Sequence, residues 1–179
     1  SQGLPAIVMV GISESVVRDA KERVRSAIIS SGFRWPDSRL TISFSPASAL
    51  KTGASFDLPI AVSILLASKQ LPDALAQGTE FYGELSLDGR VLTTTGLLAA
   101  GASERDKQVT IFTPKPNAMA LAPFCSRVVG LRHLSELRTP DRLSESDFRE
   151  CSPARTNGVA TTYQLPAGQA SLWRAAEIA

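Results

Sequence analysis

Short apolar runs rich in β-branched residues alternate with helical patterns along most of this chain, and this alternation constrains the fold more than any other feature of the sequence. Ala6–Val10 is a continuous apolar run closed by Gly11, which predicts a buried strand. An apolar stripe at helical spacing predicts a helix over Glu14–Ser30, with Gly32 at its end. Leu40–Phe44 alternates apolar and polar residues, as expected of a strand covered on one face. The interleaving predicts an α/β (α+β) two-layer sandwich.

The middle of the chain adds a buried helix and a hairpin. We expect the helix from Pro59 to about Lys69, because proline is tolerated in the first turn of a helix. Phe81–Leu87 and Arg90–Leu92 are predicted to pair through Asp88-Gly89, a two-residue turn whose central positions both need positive φ. Further strands are predicted at Val109–Phe112 and Val128–Leu131, the latter as the last strand, and further helices at Leu97–Arg105, Ala118–Leu121 and His133–Arg138.

The charge balance and the cysteines exclude several classes of protein. Lysine and arginine number 19 against 17 aspartate and glutamate residues, a net charge of +2, which is too even to predict nucleic-acid or anionic-membrane binding from charge alone. Cys125 and Cys151 share no metal or redox spacing, so a reduced, cytoplasmic chain without a metal site is expected. The longest apolar stretch, Leu58–Ser68, is too short to span a bilayer, and no membrane partner is expected.

The sequence offers one weak candidate nucleophile. Ser55 lies in a loop of small residues just before the buried helix, where helix N–H groups could stabilise an oxyanion. Its base would have to be Lys51 or a lysine from another element, and a solvated loop lysine is a poor base. The one histidine, His133, lies in a polar segment far from any serine in a sharp strand-to-helix turn. We therefore predict no catalytic residue, with Ser55 as the weak candidate.

Gly96–Ser103 has the glycine spacing of a phosphate-binding P-loop but lacks its lysine. Ala102 stands where that lysine must be, and the lysine supplies the charge that meets the β- and γ-phosphates. The sequence favours glycines that ease close packing. We predict no cofactor-binding residue and no ATP hydrolysis by this chain alone.

The predicted helix Glu14–Ser30 carries a basic face that could meet phosphates. Acidic residues are interleaved with the basic ones, so a solvated helix face is favoured over a nucleic-acid surface. The basic residues are Arg18, Lys21, Arg23 and Arg25, and the acidic ones are Asp19 and Glu22. Of these, Arg18, Lys21 and Arg25 are the candidate nucleic-acid contacts.

Several segments together resemble one protein family. They are Gly3–Gly11, Glu22–Ala27, Ser31–Phe33, Lys51–Ala61 and Tyr82–Arg90. In this order they resemble the YifB/ComM group of magnesium-chelatase-like AAA+ proteins, and the likeness covers roughly Gly3 to Arg138.

The resemblance implies a domain organisation and an inactive site. Residues 1–139 would be a ChlI-like amino-terminal domain similar to ribosomal protein S5 domain 2 and to the proteolytic domain of Lon, with its first strand missing. Residues 140–166 would be a linker, and 167–179 the truncated start of an AAA+ module. The catalytic lysine of Lon-type domains falls on Leu98, so the domain would be catalytically inactive. The family-motif residues would be structural, with Asp57 as a helix cap; they are Lys51, Gly53, Phe56, Asp57, Pro59, Gly83, Glu84, Asp88 and Gly89.

The function implied by the resemblance is that of a non-catalytic accessory domain. It would assist a ComM/YifB-like AAA+ ATPase in ATP-driven DNA remodelling, such as branch migration in natural transformation. ATP, Mg, DNA and self-association through an AAA+ ring are implied for a longer protein, since both ends of this chain are expected to be cut. Two alternatives stay open: a Lon-like Ser/Lys peptidase that uses Ser55, and a magnesium-chelatase ATPase subunit acting on a porphyrin.

Overall fold

The computed structural model describes residues 7–11, 14–44, 56–95, 97, 109–122, 125, 127–140, 143 and 148–150. The strands in these ranges are β1 (Ile7–Val10), β2 (Leu40–Ser43), β3 (Thr79–Phe81), β4 (Glu84–Leu85), β5 (Val91–Leu92), β6 (Thr110–Pro114), β7 (Arg127–Leu131) and β8 (Phe148–Glu150). The α-helices are α1 (Glu14–Ser30), α2 (Asp57–Ala67) and α3 (Lys115–Leu121), and 3-10 helices span Asp73–Ala76 and Leu134–Arg138. The mixed order of strands and helices confirms the predicted α+β class, while the likeness to ribosomal protein S5 and to Lon stays a prediction.

The first structural unit is β1, α1 and β2. β1 pairs in parallel with β2, with Ile7 opposite Leu40, so α1 is the crossover that parallel pairing needs. Gly32 follows α1 at φ +79, and the N–H groups of Gly32 and Phe33 donate to the carbonyls of Ile29 and Ile28. This is a glycine-based helix end, as predicted. The predicted apolar stripe is also confirmed by the buried residues Ala20, Val24, Ala27 and Ile28.

α2 begins at Asp57, two residues before the predicted start at Pro59. The N–H of Leu58 donates to the carbonyl of Gly83 at 3.0 Å, which fixes the start of the helix against the hairpin. Pro59 still lies in the first turn, where its missing N–H costs no helical hydrogen bond. The helix is apolar around nearly its whole circumference, and it is buried accordingly.

The largest sheet has the strand order β3-β6-β7-β8. β3, β6 and β7 are parallel, and β8 is antiparallel to β7. Side chains alternate between the two faces of the sheet. Phe112 belongs to the main core, which includes α1 and α2, whereas Ile111 belongs to a second apolar cluster that includes Leu121 of α3. The two longer helices therefore contribute to one core, and the short α3 to the other.

β8 lies inside the range that was predicted to be a linker, 140–166. It pairs with β7, with Phe148 opposite Val129. The prediction that Val128–Leu131 is the last strand is therefore wrong. The three residues form a strand because β7 offers backbone groups for pairing, a signal that local composition does not carry. The division into 1–139, 140–166 and 167–179 stays a prediction.

The structure confirms that the predicted hairpin is an antiparallel pair of strands. Its strands are shorter than predicted, and the residues of its turn differ from the predicted ones. β4 and β5 are antiparallel, but Thr79–Phe81 pairs with β6 instead of continuing the hairpin. The N–H of Gly89 donates to the carbonyl of Ser86 at 2.9 Å, so Leu87 and Asp88 are the central residues of the turn. Gly89 alone has positive φ (+91) there, an arrangement typical of three-residue hairpin loops.

Some predicted elements lie outside the described residues. They are the helix Leu97–Arg105 beyond its first residue and the segment 167–179. Within the ranges that the structure covers, no helix combines the length and the apolar character needed to cross a membrane.

Candidate functional site

Asp57, the first residue of α2, joins α1, α2 and the hairpin at one buried point. Arg23 of α1 donates from Nε to Asp57 Oδ2 at 2.8 Å and from Nη2 to Oδ1 at 3.1 Å. The backbone N–H of Leu85 in β4 donates to Oδ2 at 3.4 Å. The Asp57 side chain has no exposed surface, and that of Arg23 is 29% exposed. We call Arg23, Asp57, Gly83 and Leu85 the motif junction.

Gly83 lets the hairpin backbone approach α2 at the motif junction. A Cβ at this position would lie 2.8 Å from Val91 Cγ1 and 3.2 Å from Leu58 Cδ2. The first distance is shorter than side chains tolerate, so packing alone explains a glycine here.

Burial and pairing act in opposite directions on the charge of Asp57. Burial raises the pKa of the Asp57 carboxyl above its usual range, and the hydrogen bond from Arg23 opposes this rise. The negative charge of Glu84 on β4 adds to the rise. The hydrogen bond to Asp57 raises the pKa of Arg23, so the guanidinium stays charged. Both carboxylate oxygens accept hydrogen bonds from the fold itself, and the structural role of Asp57 stays a prediction.

The expectation that Asp57 caps α2 is wrong. Phe56 occupies the N-cap position, and no side chain there accepts a hydrogen bond from the helix. Asp57 is the first residue inside the helix, and its carboxylate accepts hydrogen bonds from Arg23. Burying this charge without a partner would cost free energy.

The hairpin tip, Ser86–Arg90, is a second polar network that lies at the surface. Arg90 Nε donates to Asp88 Oδ2 at 2.9 Å, and the hydroxyl of Ser86 donates to Asp88 Oδ1. The Ser86 hydrogen bond lowers the pKa of Asp88 to about 2. The side chains of Arg90 and Asp88 are 65% and 60% exposed, so water competes with their ion pair.

His133 connects the hairpin tip to the 3-10 helix Leu134–Arg138. Its Nδ1 accepts the N–H of Ser135 at 3.2 Å, so Nε2 carries the proton and donates to the carbonyl of Asp88 at 2.8 Å. A Cβ at Gly89 would lie 2.3 Å from Ser31 Oγ and 2.8 Å from His133 Cε1. Tight packing therefore holds the tip, and His133 serves as a structural link.

The residues of the predicted basic face of α1 lie in different environments in the structure. Arg18 and Arg25 are exposed, Lys21 is half-buried, and Arg23 is turned inward to Asp57. Arg25 Cζ lies 5.5 Å from the centroid of the Trp35 ring. The nucleic-acid role of Arg18, Lys21 and Arg25 stays a prediction, and Arg23 is unsuited to it because its guanidinium is already paired.

The remaining motif residues divide into those that pack and those outside the described ranges. Phe56 is buried and meets Phe44 edge-to-face, with ring centroids 6.1 Å apart. Pro59 is half-buried in the first turn of α2. Lys51, Gly53 and Ser55 lie outside the described residues, so the candidate nucleophile and its base stay predictions.

Of the P-loop-like segment the structure describes Leu97 alone, so the expectations about ATP and Mg stay predictions. Leu97, the second residue of the P-loop-like segment, is buried in the apolar cluster that contains Tyr82 and Ile111. Such surroundings disfavour a phosphate, which would lose its hydration. No three His, Cys, Asp or Glu side chains in the described ranges are grouped so that they could hold a metal ion.

Sequence reasoning missed the partner of Arg23, although a signal was present. Arg23 lies three residues after Ala20 and four before Ala27, so it shares a helix face with buried residues. A charged side chain on such a face needs a partner. Its identity is not encoded locally, because Asp57 is 34 residues further along the chain.

Comparison with known proteins gives a consistent family. The family model described as subunit ChlI of Mg-chelatase matches residues 1–117. The uncharacterized protein YifB of Escherichia coli is 39% identical over 117 residues, which are 65% of this chain and 23% of that protein. Competence protein ComM of Haemophilus influenzae is 37% identical over 118 residues, 66% of this chain and 23% of ComM. YifB of Salmonella typhimurium is 44% identical over 100 residues, 56% of this chain and 20% of that protein.

The match therefore spans less than a quarter of the length of these relatives. Residues 1–117 contain the whole motif junction and the hairpin tip. The chain belongs to the family described as subunit ChlI of Mg-chelatase, and YifB and ComM proteins are among its relatives.

Proposed function

We propose that this chain acts as a non-catalytic accessory domain of a longer, cytoplasmic AAA+ ATPase of the ComM/YifB type that remodels DNA. The observation that carries the proposal is the engagement of Asp57, whose two carboxylate oxygens are occupied by Arg23 and Leu85. Of the charged motif residues that the structure describes, Asp57 is the most deeply buried, and its partners belong to the fold itself. The family membership supports the wider context, since the matched segment is 23% of the ComM protein.

The motif junction suits a domain that presents surfaces in a fixed orientation. The ion pair of Arg23 and Asp57 joins α1 to α2, and the hydrogen bond from the backbone of Leu85 joins β4 to the same carboxylate. We propose that the domain assists ring assembly or guides DNA. ATP and Mg would act in the ATPase module of the longer protein.

A chimera of ComM tests this function. The matched segment of Haemophilus influenzae ComM is replaced by residues 1–117 of this chain, and natural transformation is measured. The chimera is expected to restore transformation, whereas ComM lacking the segment does not. A chimera carrying Arg23→Met is expected to fail, and one carrying Arg90→Met is the matched control that retains function. A chimera that accumulates normally and is no better than the deletion contradicts the proposal.

Two further measurements separate the alternatives. A fluorophosphonate probe that labels this chain, and no longer labels it after Ser55→Ala, would favour the Lon-like peptidase. Mg insertion into a porphyrin by this chain with chelatase partner subunits would favour the chelatase subunit. We expect neither activity.

A further inference from the structure

Two guanidinium groups, those of Arg25 and Arg138, contact the segment Gly32–Trp35 on the surface beside α1. Arg25 Cζ lies 5.5 Å from the centroid of the Trp35 ring, and Arg138 Cζ lies 5.6 Å from that of Phe33. Arg138 Nη1 also donates to the carbonyl of Gly32 at 3.1 Å. A third arginine, Arg34, is exposed and stands between Phe33 and Trp35 in the sequence.

The backbone of this segment is fixed. The N–H of Arg34 donates to Gln70 Oε1 at 2.7 Å, and Gln70 Nε2 donates to the carbonyl of Arg34 at 2.7 Å. Gln70 therefore pairs with Arg34 as a neighbouring strand would. A side chain presented from a fixed backbone loses less conformational entropy on binding than one on a mobile loop.

The charge of this surface is predominantly positive. Residues 31–39 contain Arg34 and Arg39 against the single acid Asp37, and Arg25 and Arg138 add two further cations. Glu22 and Glu136 are the acidic residues nearest in sequence to these cations on the adjoining helices, and Glu136 Oε2 accepts the N–H of Arg132.

We propose that Arg25, Arg34, Trp35 and Arg138, which we call the arginine–tryptophan surface, bind single-stranded nucleic acid. Guanidinium groups meet phosphates, and the planar guanidinium of Arg25, whose Cζ lies 5.5 Å from the centroid of the Trp35 ring, can also stack on an unpaired base. A duplex already stacks its bases on one another and would use the phosphate contacts alone. This inference rests on the proposed function, which makes DNA the ligand, and it names a contact surface different from one centred on Arg18.

The test measures binding of a fluorescein-labelled oligothymidine to the whole chain by anisotropy, from about 50 to 200 mM salt. Arg34→Ala and Arg25→Ala are each expected to reduce affinity several-fold and to lower the salt slope by about 0.7, the value for one lost single-strand phosphate contact. Arg25→Lys is expected to keep the slope and still weaken binding, because it keeps the charge and loses the plane. Arg18→Ala and Arg90→Ala remove the same charge elsewhere and are expected to bind as the parent chain does.

A second readout places the ligand on the surface. The chain has two tryptophans, so Trp173→Phe leaves the indole N–H of Trp35 as the single indole signal in a nitrogen–proton correlation spectrum. Oligothymidine is expected to shift this signal, and a duplex of equal length to shift it less.

Four results overturn the inference: no oligothymidine binding, equal losses for Arg18→Ala and Arg34→Ala, an unmoved Trp35 signal in the bound state, or equally effective competition by polyglutamate. The last would assign the surface to an acidic peptide. These results are independent of the ComM chimera. If the chimera restores transformation but this chain does not bind oligothymidine, the proposed binding surface is wrong and the proposed function stands. If this chain binds oligothymidine as expected but the chimera does not restore transformation, the proposed function alone is wrong.

Discussion

The motif junction and the hairpin tip contain the same chemical pair in two environments. Arg23 meets Asp57 at 2.8 Å where the carboxylate has no exposed surface, and Arg90 meets Asp88 at 2.9 Å where both side chains are more than half exposed. In the buried pair Asp57 depends on Arg23, because its carboxylate has no exposed surface and would be left without water, whereas Arg23 keeps some contact with solvent. In the exposed pair water replaces either partner at little cost.

The comparison shows that distance alone does not reveal what an ion pair contributes. The two aspartates respond in opposite directions: burial raises the pKa of Asp57, whereas the Ser86 hydrogen bond lowers that of Asp88. At the hairpin tip the structural constraint comes from Gly89, which has positive φ and no room for a side chain.

Arg23→Met is expected to have the largest effect on stability. It leaves the fully buried Asp57 carboxylate without its cation, and removing one partner of a buried pair costs roughly 3–5 kcal/mol of the free energy of unfolding. Urea unfolding of the chain followed by circular dichroism measures this loss. Arg90→Met is the matched control at the hairpin tip and should leave the urea midpoint nearly unchanged. Equal losses of unfolding free energy in the two variants would contradict the expected difference between the motif junction and the hairpin tip.

Gly89→Ala is expected to have the second largest effect. A Cβ would lie 2.3 Å from Ser31 Oγ, and alanine is strained at φ +91. Together these should lower the free energy of unfolding by about 2–3 kcal/mol.

Gly78→Ala separates the two causes of that loss. Gly78 is exposed at φ +61, so the substitution carries the backbone strain with a smaller loss of about 1–2 kcal/mol. A loss at position 89 no larger than that at 78 would show that the packing of Ser31 and His133 around the tip is unimportant.

Asp88→Asn is expected to have the smallest effect, and that effect should depend on pH. The pKa of Asp88 is lowered from its ordinary 3.8 to about 2 in the folded chain. Its contribution is therefore present above pH 3.8 and is lost as pH falls toward 2. Parent and Asp88→Asn chains should differ slightly in urea midpoint at about pH 5 and converge near pH 2. A difference that stays constant with pH would exclude ionisation of Asp88 as its source.

Local patterns in the sequence predicted much of the fold. Helix α1, its glycine end and the half-covered strand β2 follow from apolar spacing and from Gly32, which act over a few residues. The pairing of Thr79–Phe81 with β6 was missed, because a parallel partner some thirty residues away leaves no local signal. Asp88-Gly89 correctly predicted a hairpin, but the central residues of the turn are Leu87 and Asp88. The carbonyl of Gly89 also accepts the N–H of Leu134, a contact that the local sequence does not reveal.

The candidate site was less predictable than the fold. The family motif marked Asp57, Gly83 and Gly89, but their roles depend on groups brought together by tertiary packing. The sequence places Arg23 on a solvated helix face, because the acidic residues Asp19 and Glu22 are interleaved with the basic ones. Only the packing of α1 against α2 shows which basic residue turns inward.

The most direct measurement of the structural role of Asp57 is a double-mutant cycle on this chain. Urea unfolding is compared for the parent, Arg23→Met, Asp57→Leu and the double variant. Apolar side chains can replace a buried ion pair at little cost, so the double variant should lie within about 1 kcal/mol of the parent, with a coupling energy of about 2 kcal/mol or more. Losses that simply add would show that Arg23 and Asp57 act independently and would contradict the account.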